Sequence, residues 1–178
     1  MLKKILLLLV VGIAGLAVYV AMQPDDFRIE RRATVNAPPR AVFTQVNDFR
    51  KWDDWSPWAK LDPNSRIAFE GPQAGQGAVF KWSGNDKVGE GKMTLVESKP
   101  GELVRIQVEF VKPFEGSSTS EFVFRPLDGG TQVIWSSYGP MNFISKAMCL
   151  IMNMEKMLGP DMEKGLVQMK EIAESGRT

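Results

Sequence analysis

The side chains that could carry out chemistry in this chain are few, and their spacing assembles no familiar catalytic set. The 178 residues include no histidine and one cysteine, Cys149. Without histidine there is no Ser-His-Asp or Cys-His pairing, no imidazole metal ligand and no ordinary general base near neutral pH. Cys149 has no second thiol to pair with, and in its apolar helical stretch it reads as a small buried hydrophobe. Asp53, Asp54, Glu70, Glu90, Tyr138 and Asn142 are candidates for polar contacts inside a cavity. No two of them stand at a spacing that demands paired acid and base work, and each also reads as a solvated surface or turn residue. Gly75-Gln-Gly77 and Gly89-Glu-Gly91 lack the following helix that a phosphate-binding loop needs. The residues therefore call for no catalytic site, no cofactor and no metal.

The abundant chemistry is apolar. Trp52, Trp55 and Trp58 recur every three residues, and Met148, Met152, Met154, Met157, Met162 and Met169 crowd the last third of the chain. Phe80, Trp82, Phe110, Phe122, Phe124 and Trp135 occupy alternating positions of extended segments, where side chains two apart share a face. Large aromatics bury much area and serve cores, yet ligand pockets are also apolar with few polar groups. Two readings stay open for this set: the wall of a cavity, or the filling of a core. On the first, the lining is Trp52, Trp55, Trp58, Phe80, Trp82, Phe110, Phe122, Phe124, Trp135, Met148 and Met152. Methionine, unbranched and polarizable, suits a pliable wall as well as a loosely specified core.

The elements that must position these residues follow from periodicity. Phe27 to Val35 reads as a strand, stopped by Asn36-Ala-Pro-Pro39, which opens a helix because proline is tolerated in a first turn. Val42, Phe43, Val46 and Phe49 recur at helical spacing, and a second short helix runs through Trp52 and Trp55 toward Pro57. From Ile67 the rhythm changes to alternation, with strands expected at 67–70, 78–82, 91–97, 103–111, 119–125 and 131–138. Turns fall at Gly84-Asn-Asp86, Pro100-Gly101 and Asp128-Gly-Gly130. A helix is expected over 143–158, interrupted by Gly159-Pro160. Beyond it Met162, Leu166, Met169 and Ala173 form a helical stripe.

Before Pro24 the chain has another character. Ile5 to Met22 is one apolar run headed by Lys3 and Lys4, and at about 1.5 Å per residue it covers roughly 27 Å, enough to cross a hydrocarbon core. A cleaved signal peptide also starts this way, but the end of the run offers only Gly15-Leu-Ala17 as a passable cleavage site. The expected division is an anchor at 1–23, contacting the membrane through residues 5–22, and one domain at 24–178. Lys3 and Lys4 favour a cytoplasmic N-terminus with the domain on the outer side, periplasmic in a bacterium. Arg28, Arg31, Arg32 and Arg40 oppose them. Setting Lys3 and Lys4 aside, the basic residues number one fewer than the 21 acidic ones, and their scatter along the chain gives no clustered basic face for nucleic acid.

The element order resembles the helix-grip plan, an α+β fold in which a curved antiparallel sheet of about seven strands wraps a long C-terminal helix. Phe49-Arg-Lys-Trp-Asp-Asp-Trp-Ser-Pro-Trp58 resembles the tryptophan-rich segment of the SRPBCC superfamily, and in particular its polyketide cyclase/dehydrase-like branch. Gly91-Lys-Met-Thr-Leu-Val96, Val133-Ile-Trp135 and Gly139-Pro140 are similar to the same branch. The resemblance implies a hydrophobic cavity between sheet and terminal helix, as in START lipid-transfer and pollen-allergen relatives, and with it a small hydrophobic or lipid-like ligand. It does not imply an enzyme, because fold does not fix function. A cyclase or dehydratase would need acidic or tyrosine groups inside that cavity, and a partner-binding module would need a filled core with an outer binding surface.

Overall fold

In the computed structural model, which describes residues 2–176, an apolar helix α1 (Leu2–Ala21) leads into strand β1 (Asp26–Val35). Positions 1, 177 and 178, at the outer ends of the expected anchor and domain, lie outside the described residues. Two short helices follow, α2 (Pro39–Asn47) and α3 (Trp52–Trp55), joined by a 3-10 turn at Phe49–Lys51. Then come β2 (Arg66–Glu70), β3 (Val79–Ser83), β4 (Glu90–Lys99), β5 (Leu103–Lys112), β6 (Gly116–Leu127) and β7 (Gly130–Pro140). Helices α4 (Phe143–Ile151) and α5 (Met154–Glu174) complete the chain.

The seven strands form one antiparallel sheet in the order β1-β7-β6-β5-β4-β3-β2. Neighbours in sequence pair through short turns from β2 to β7, and β1 closes onto β7 along Asp26–Val35. Register shifts in β4 between Glu90 and Gly91 and between Leu95 and Glu97 are places where an unpaired residue bends a strand. The result is the curved helix-grip sheet of the α+β class. The outer face is polar and carries cross-strand ion pairs such as Lys92–Glu109 and Arg105–Glu121. The inner face carries the expected aromatics.

Sequence dictates how the helices meet that inner face. In α2, Val42, Phe43 and Val46 are buried, one stripe of an amphipathic helix. In α5 the expected stripe of Met162, Leu166, Met169 and Ala173 is buried throughout. Polar contacts then fix α5 beside β1. Arg31 reaches Glu155 and Glu163, each at 2.6 Å. Lys170 Nζ donates to the Thr34 carbonyl at 2.8 Å, and the Asn36 N–H donates to Glu174 at 2.7 Å.

The C-terminal helix breaks at a different place from the one expected. The expected interruption at Gly159-Pro160 lies inside α5, and the chain instead breaks at Met152–Asn153. Met152 is extended, and the Asn153 side chain accepts the Lys156 N–H at 3.0 Å, so asparagine acts here as an N-cap. Pro160 costs α5 one N–H, the one that would reach the Lys156 carbonyl. Lys156 and Pro160 are both exposed, so the gap lies on the water side of the helix.

Candidate apolar binding site

Ring contacts join most of the expected aromatic set into one chain. It starts at Trp58, which stands edge-on to Trp135 at 5.8 Å, and Trp135 stacks on Phe122 at 4.7 Å. Trp55 and Trp52 pack on Phe122, and Trp52 meets Phe49 at 5.5 Å. Phe49 touches Phe80, Phe80 stacks near Trp82, and Trp82 ends edge-on to Phe110 at 5.9 Å. Phe124 pairs separately with Phe43. Phe49 and Phe69, which packs on Phe80 at 5.5 Å, were not among the expected residues. The first continues the Val42–Val46 stripe, and the second alternates with Ile67, so both signals were present.

The two ends of this chain differ. Trp55 and Phe122 are wholly buried, and Trp52 and Trp135 nearly so. Their polar edges are satisfied inside: Trp52 Nε1 donates to the Val46 carbonyl and Trp55 Nε1 to the Gln45 carbonyl, both at 3.0 Å, while Trp135 Nε1 donates to Ser120 Oγ at 2.8 Å. Helix α5 crosses directly above, at Gly165. A Cβ there would stand 3.1 Å from the Trp135 ring and 3.2 Å from Pro57, so sheet and helix are in close contact at this level.

The other end is open. Strand pairing places Ile67, Trp82, Gly91, Phe110 and Gly116 in one row across five strands. The two glycines leave space in the row, and the Trp82 ring lies where a Gly91 side chain would be. Trp82 is held there by its Nε1 donating to the Val88 carbonyl at 3.1 Å. A hollow of about 750 Å³ runs along the row. Phe110 keeps 42% of its surface exposed and Ile67 57%. Of the flanking charges, Lys92 pairs with Glu109 and Lys112 with Glu90, and Arg66 and Glu115 also stand at the rim. A smaller hollow of about 320 Å³ lies between β1 and the α4–α5 junction, lined by Phe27, Ile29, Met141, Cys149 and Met154 among others.

Of the expected lining, then, Trp82 and Phe110 border the larger hollow. Trp52, Trp55, Phe122, Phe124 and Trp135 stand in the interior, with Trp58 half-buried beside Trp135 and Phe80 half-buried toward the open end. The structure does not bring Met148 and Met152 to this chain: both belong to the α4 end, Met148 half-buried and Met152 exposed. The polar candidates are also dispersed. Asp53 and Asp54 are exposed, Glu70 pairs with Lys81, and Tyr138 donates to Glu121 on the outer face. Asn142 accepts the Ser145 N–H and caps α4.

Comparison with known proteins agrees with this geometry. The family model described as polyketide cyclase / dehydrase and lipid transport matches residues 26–174. No curated protein matches the chain. Among solved structures, the Aha1 dimer from Colwellia psychrerythraea is similar with a TM-score of 0.58 at 15% identity, covering 85% of this chain and 99% of that one. Ara h 8.0201 gives 0.57 at 13% identity, covering 84% and 99%. One half of the di-domain ARO/CYC protein StfQ, from the steffimycin biosynthetic pathway, gives 0.61 at 14% identity, covering 84% of this chain and 51% of that one. At such identities the likeness is one of fold.

Proposed function

From the premise that this chain belongs to the polyketide cyclase / dehydrase and lipid transport family, we propose that it is a membrane-anchored binder of a small hydrophobic or lipid-like molecule. The observation that carries this reading is the open aromatic row, where Trp82, Phe110 and Ile67 offer apolar surface to a hollow of about 750 Å³. Covering such surface stabilises a complex by about 25 cal/mol per Å². The buried tryptophans form a rigid backing to the row. A cyclase would need a carboxyl kept neutral in an enclosed space. Glu90 and Glu109 beside the row are committed to ion pairs and Glu115 at its rim is exposed to water, so no carboxyl there is enclosed, which favours the binder.

The anchor in this proposal is residues 1–23 and the binding domain 24–178. Helix α1 is long and apolar enough to cross a membrane, and Val20 is its one buried residue. Lys3 and Lys4 favour a cytoplasmic N-terminus, which puts the domain on the outer side.

The test is native mass spectrometry of the chain from Pro24 onward, purified without detergent. The expected result is a discrete added mass that is lost on denaturation. The same compound should bind Phe110→Ser about tenfold more weakly, near 1.4 kcal/mol, while the variant's melting temperature stays close to the parent's because Phe110 is already half in water. Equal affinity in the folded variant would remove the row from the site.

A further inference from the structure

We propose that the end of the domain nearest α1 is a membrane-docking surface, on which helix α4 lies in the lipid–water interface with the β5–β6 turn beside it. The proposal rests on the anchored reading given above and goes beyond it, because an anchored domain can equally stand clear of the bilayer.

The first observation is the polarity of α4, which is reversed. Surface helices of globular domains turn their apolar stripe inward. At 100° per residue, Phe143, Ile144, Ala147, Leu150 and Ile151 share one arc of about 120°. That arc faces outward: Phe143 is 53% exposed, Ile144 60%, Leu150 39% and Ile151 89%. The one charged residue of the helix, Lys146, is turned inward and is only 6% exposed. A helix with a continuous apolar outer face suits the boundary between headgroups and acyl chains.

The second observation fixes the height of α4 relative to the membrane. Lys146 Nζ lies 3.4 Å from the Ala21 carbonyl and 2.5 Å from Asp25 Oδ1. Ala21 ends α1, where carbonyls lack helical partners and the helix dipole is negative, so a buried ammonium is well placed there. Lys146 also holds the Asp25 carboxyl below its ordinary range, chiefly by their hydrogen bond. This clamp places α4 level with the point at which α1 leaves the hydrocarbon core.

The third observation comes from the sheet. Antiparallel pairing puts the row from Ile67 to Gly116 at the same end of the sheet as the start of β1 and the end of β7, where Asp26 pairs with Pro140, so it lies at the anchor's end of the domain. The same end carries Val111 and Phe114, 48% and 58% exposed in and beside the β5–β6 turn. At the far end the turns 71–78, 100–102 and 128–129 hold no large hydrophobic residue, while Phe69 and Leu127 beside them are 36% and 45% exposed. With Phe143, Ile144, Leu150 and Ile151 of α4, the end where α1 attaches carries the larger group of exposed apolar side chains, and a clustered apolar patch marks a contact surface. Its continuity with α1 selects the bilayer as the occupant.

The test uses the full chain in vesicles of phosphatidylethanolamine and phosphatidylglycerol. In a Cys149→Ala background, nitroxide labels are attached after Ile144→Cys, Ile151→Cys, Phe114→Cys, Val10→Cys or Val167→Cys. Relaxation by oxygen and by a water-soluble nickel chelate then reports the depth of each label. Position 10 should lie in the hydrocarbon and position 167, exposed on α5, in water. Positions 144, 151 and 114 should lie about 5–10 Å below the phosphates. If position 10 is deep while 144 and 151 read as water, the docking surface is wrong and the anchor stands. Labels at 144 and 151 shielded from both reagents would mean a protein partner or a second copy on α4, which also overturns the proposal. A position 10 that reads as water would sink the anchored reading, and this inference with it.

Discussion

The indole N–H groups of Trp52 and Trp55 meet the Val46 and Gln45 carbonyls at 3.0 Å. These carbonyls belong to the last turn of α2, where a helix has no partner of its own for them. The two tryptophans therefore close the core and cap a helix from the side, which a phenylalanine of similar shape cannot do. Trp52→Phe should cost about 1–3 kcal/mol, because the buried Val46 carbonyl loses the indole N–H it meets, besides the lost ring. Trp58→Phe, at a half-buried edge-on contact, should cost clearly less. Urea midpoints of the two variants check this, and equal losses would show that ring volume alone matters. The spacing of the tryptophans was legible in the sequence. Their role was not, because a cavity wall and a core use the same side chain and only the acceptor beyond it separates them.

Two glycines of α5, six positions apart, show how an element is fitted to its neighbours. A side chain at Gly159 would run into the Arg31 guanidinium, the movable end of a flexible side chain whose partners Glu155 and Glu163 are both exposed. A side chain at Gly165 would meet the Trp135 and Trp55 rings and the Pro57 ring, all of them buried. Alanine is worth about 1 kcal/mol over glycine within a helix, and the Arg31 side chain that covers the buried Gly159 can swing aside at the small cost of pairs with exposed carboxylates. Gly159→Ala should therefore leave thermal stability unchanged or raised by up to about 1 kcal/mol. Gly165→Ala should lower it, since rigid rings must move to admit the methyl group. Calorimetry of both variants decides the matter; a stabilised Gly165→Ala would mean the sheet and α5 are less tightly apposed than described. The sequence made α5 legible through its methionine stripe, but it placed the break at Gly159-Pro160. Proline is a strong local signal, yet a water-facing proline leaves a helix intact when both its flanks are pinned by packing, and Asn153 had the stronger local claim to a cap.

For the whole molecule, the end-to-end polarity of the domain matters more than any single pocket. The strands and the sheet's inner face were legible because a two-residue period fixes which side chains share a face. The gathering of apolar surface at one end was not, since it depends on register across seven strands and on Lys146 turning α4 over. That end holds the open row, the reversed helix and the stem of α1 together, so on the proposed docking a ligand drawn from the bilayer would reach the row without crossing bulk water. Inserting about ten Gly/Ser residues between Gln23 and Pro24 would add a flexible tether with a mean span of about 17 Å. It would also part Lys146 from the Ala21 carbonyl. The domain's melting temperature should hold, because the aromatic core lies beyond α4 and makes no use of α1. Uptake of a fluorescent long-chain fatty acid from vesicles carrying the protein should slow severalfold. Transfer at the parent rate would show that the anchor serves only to confine the domain, and that its orientation on the membrane contributes nothing to loading.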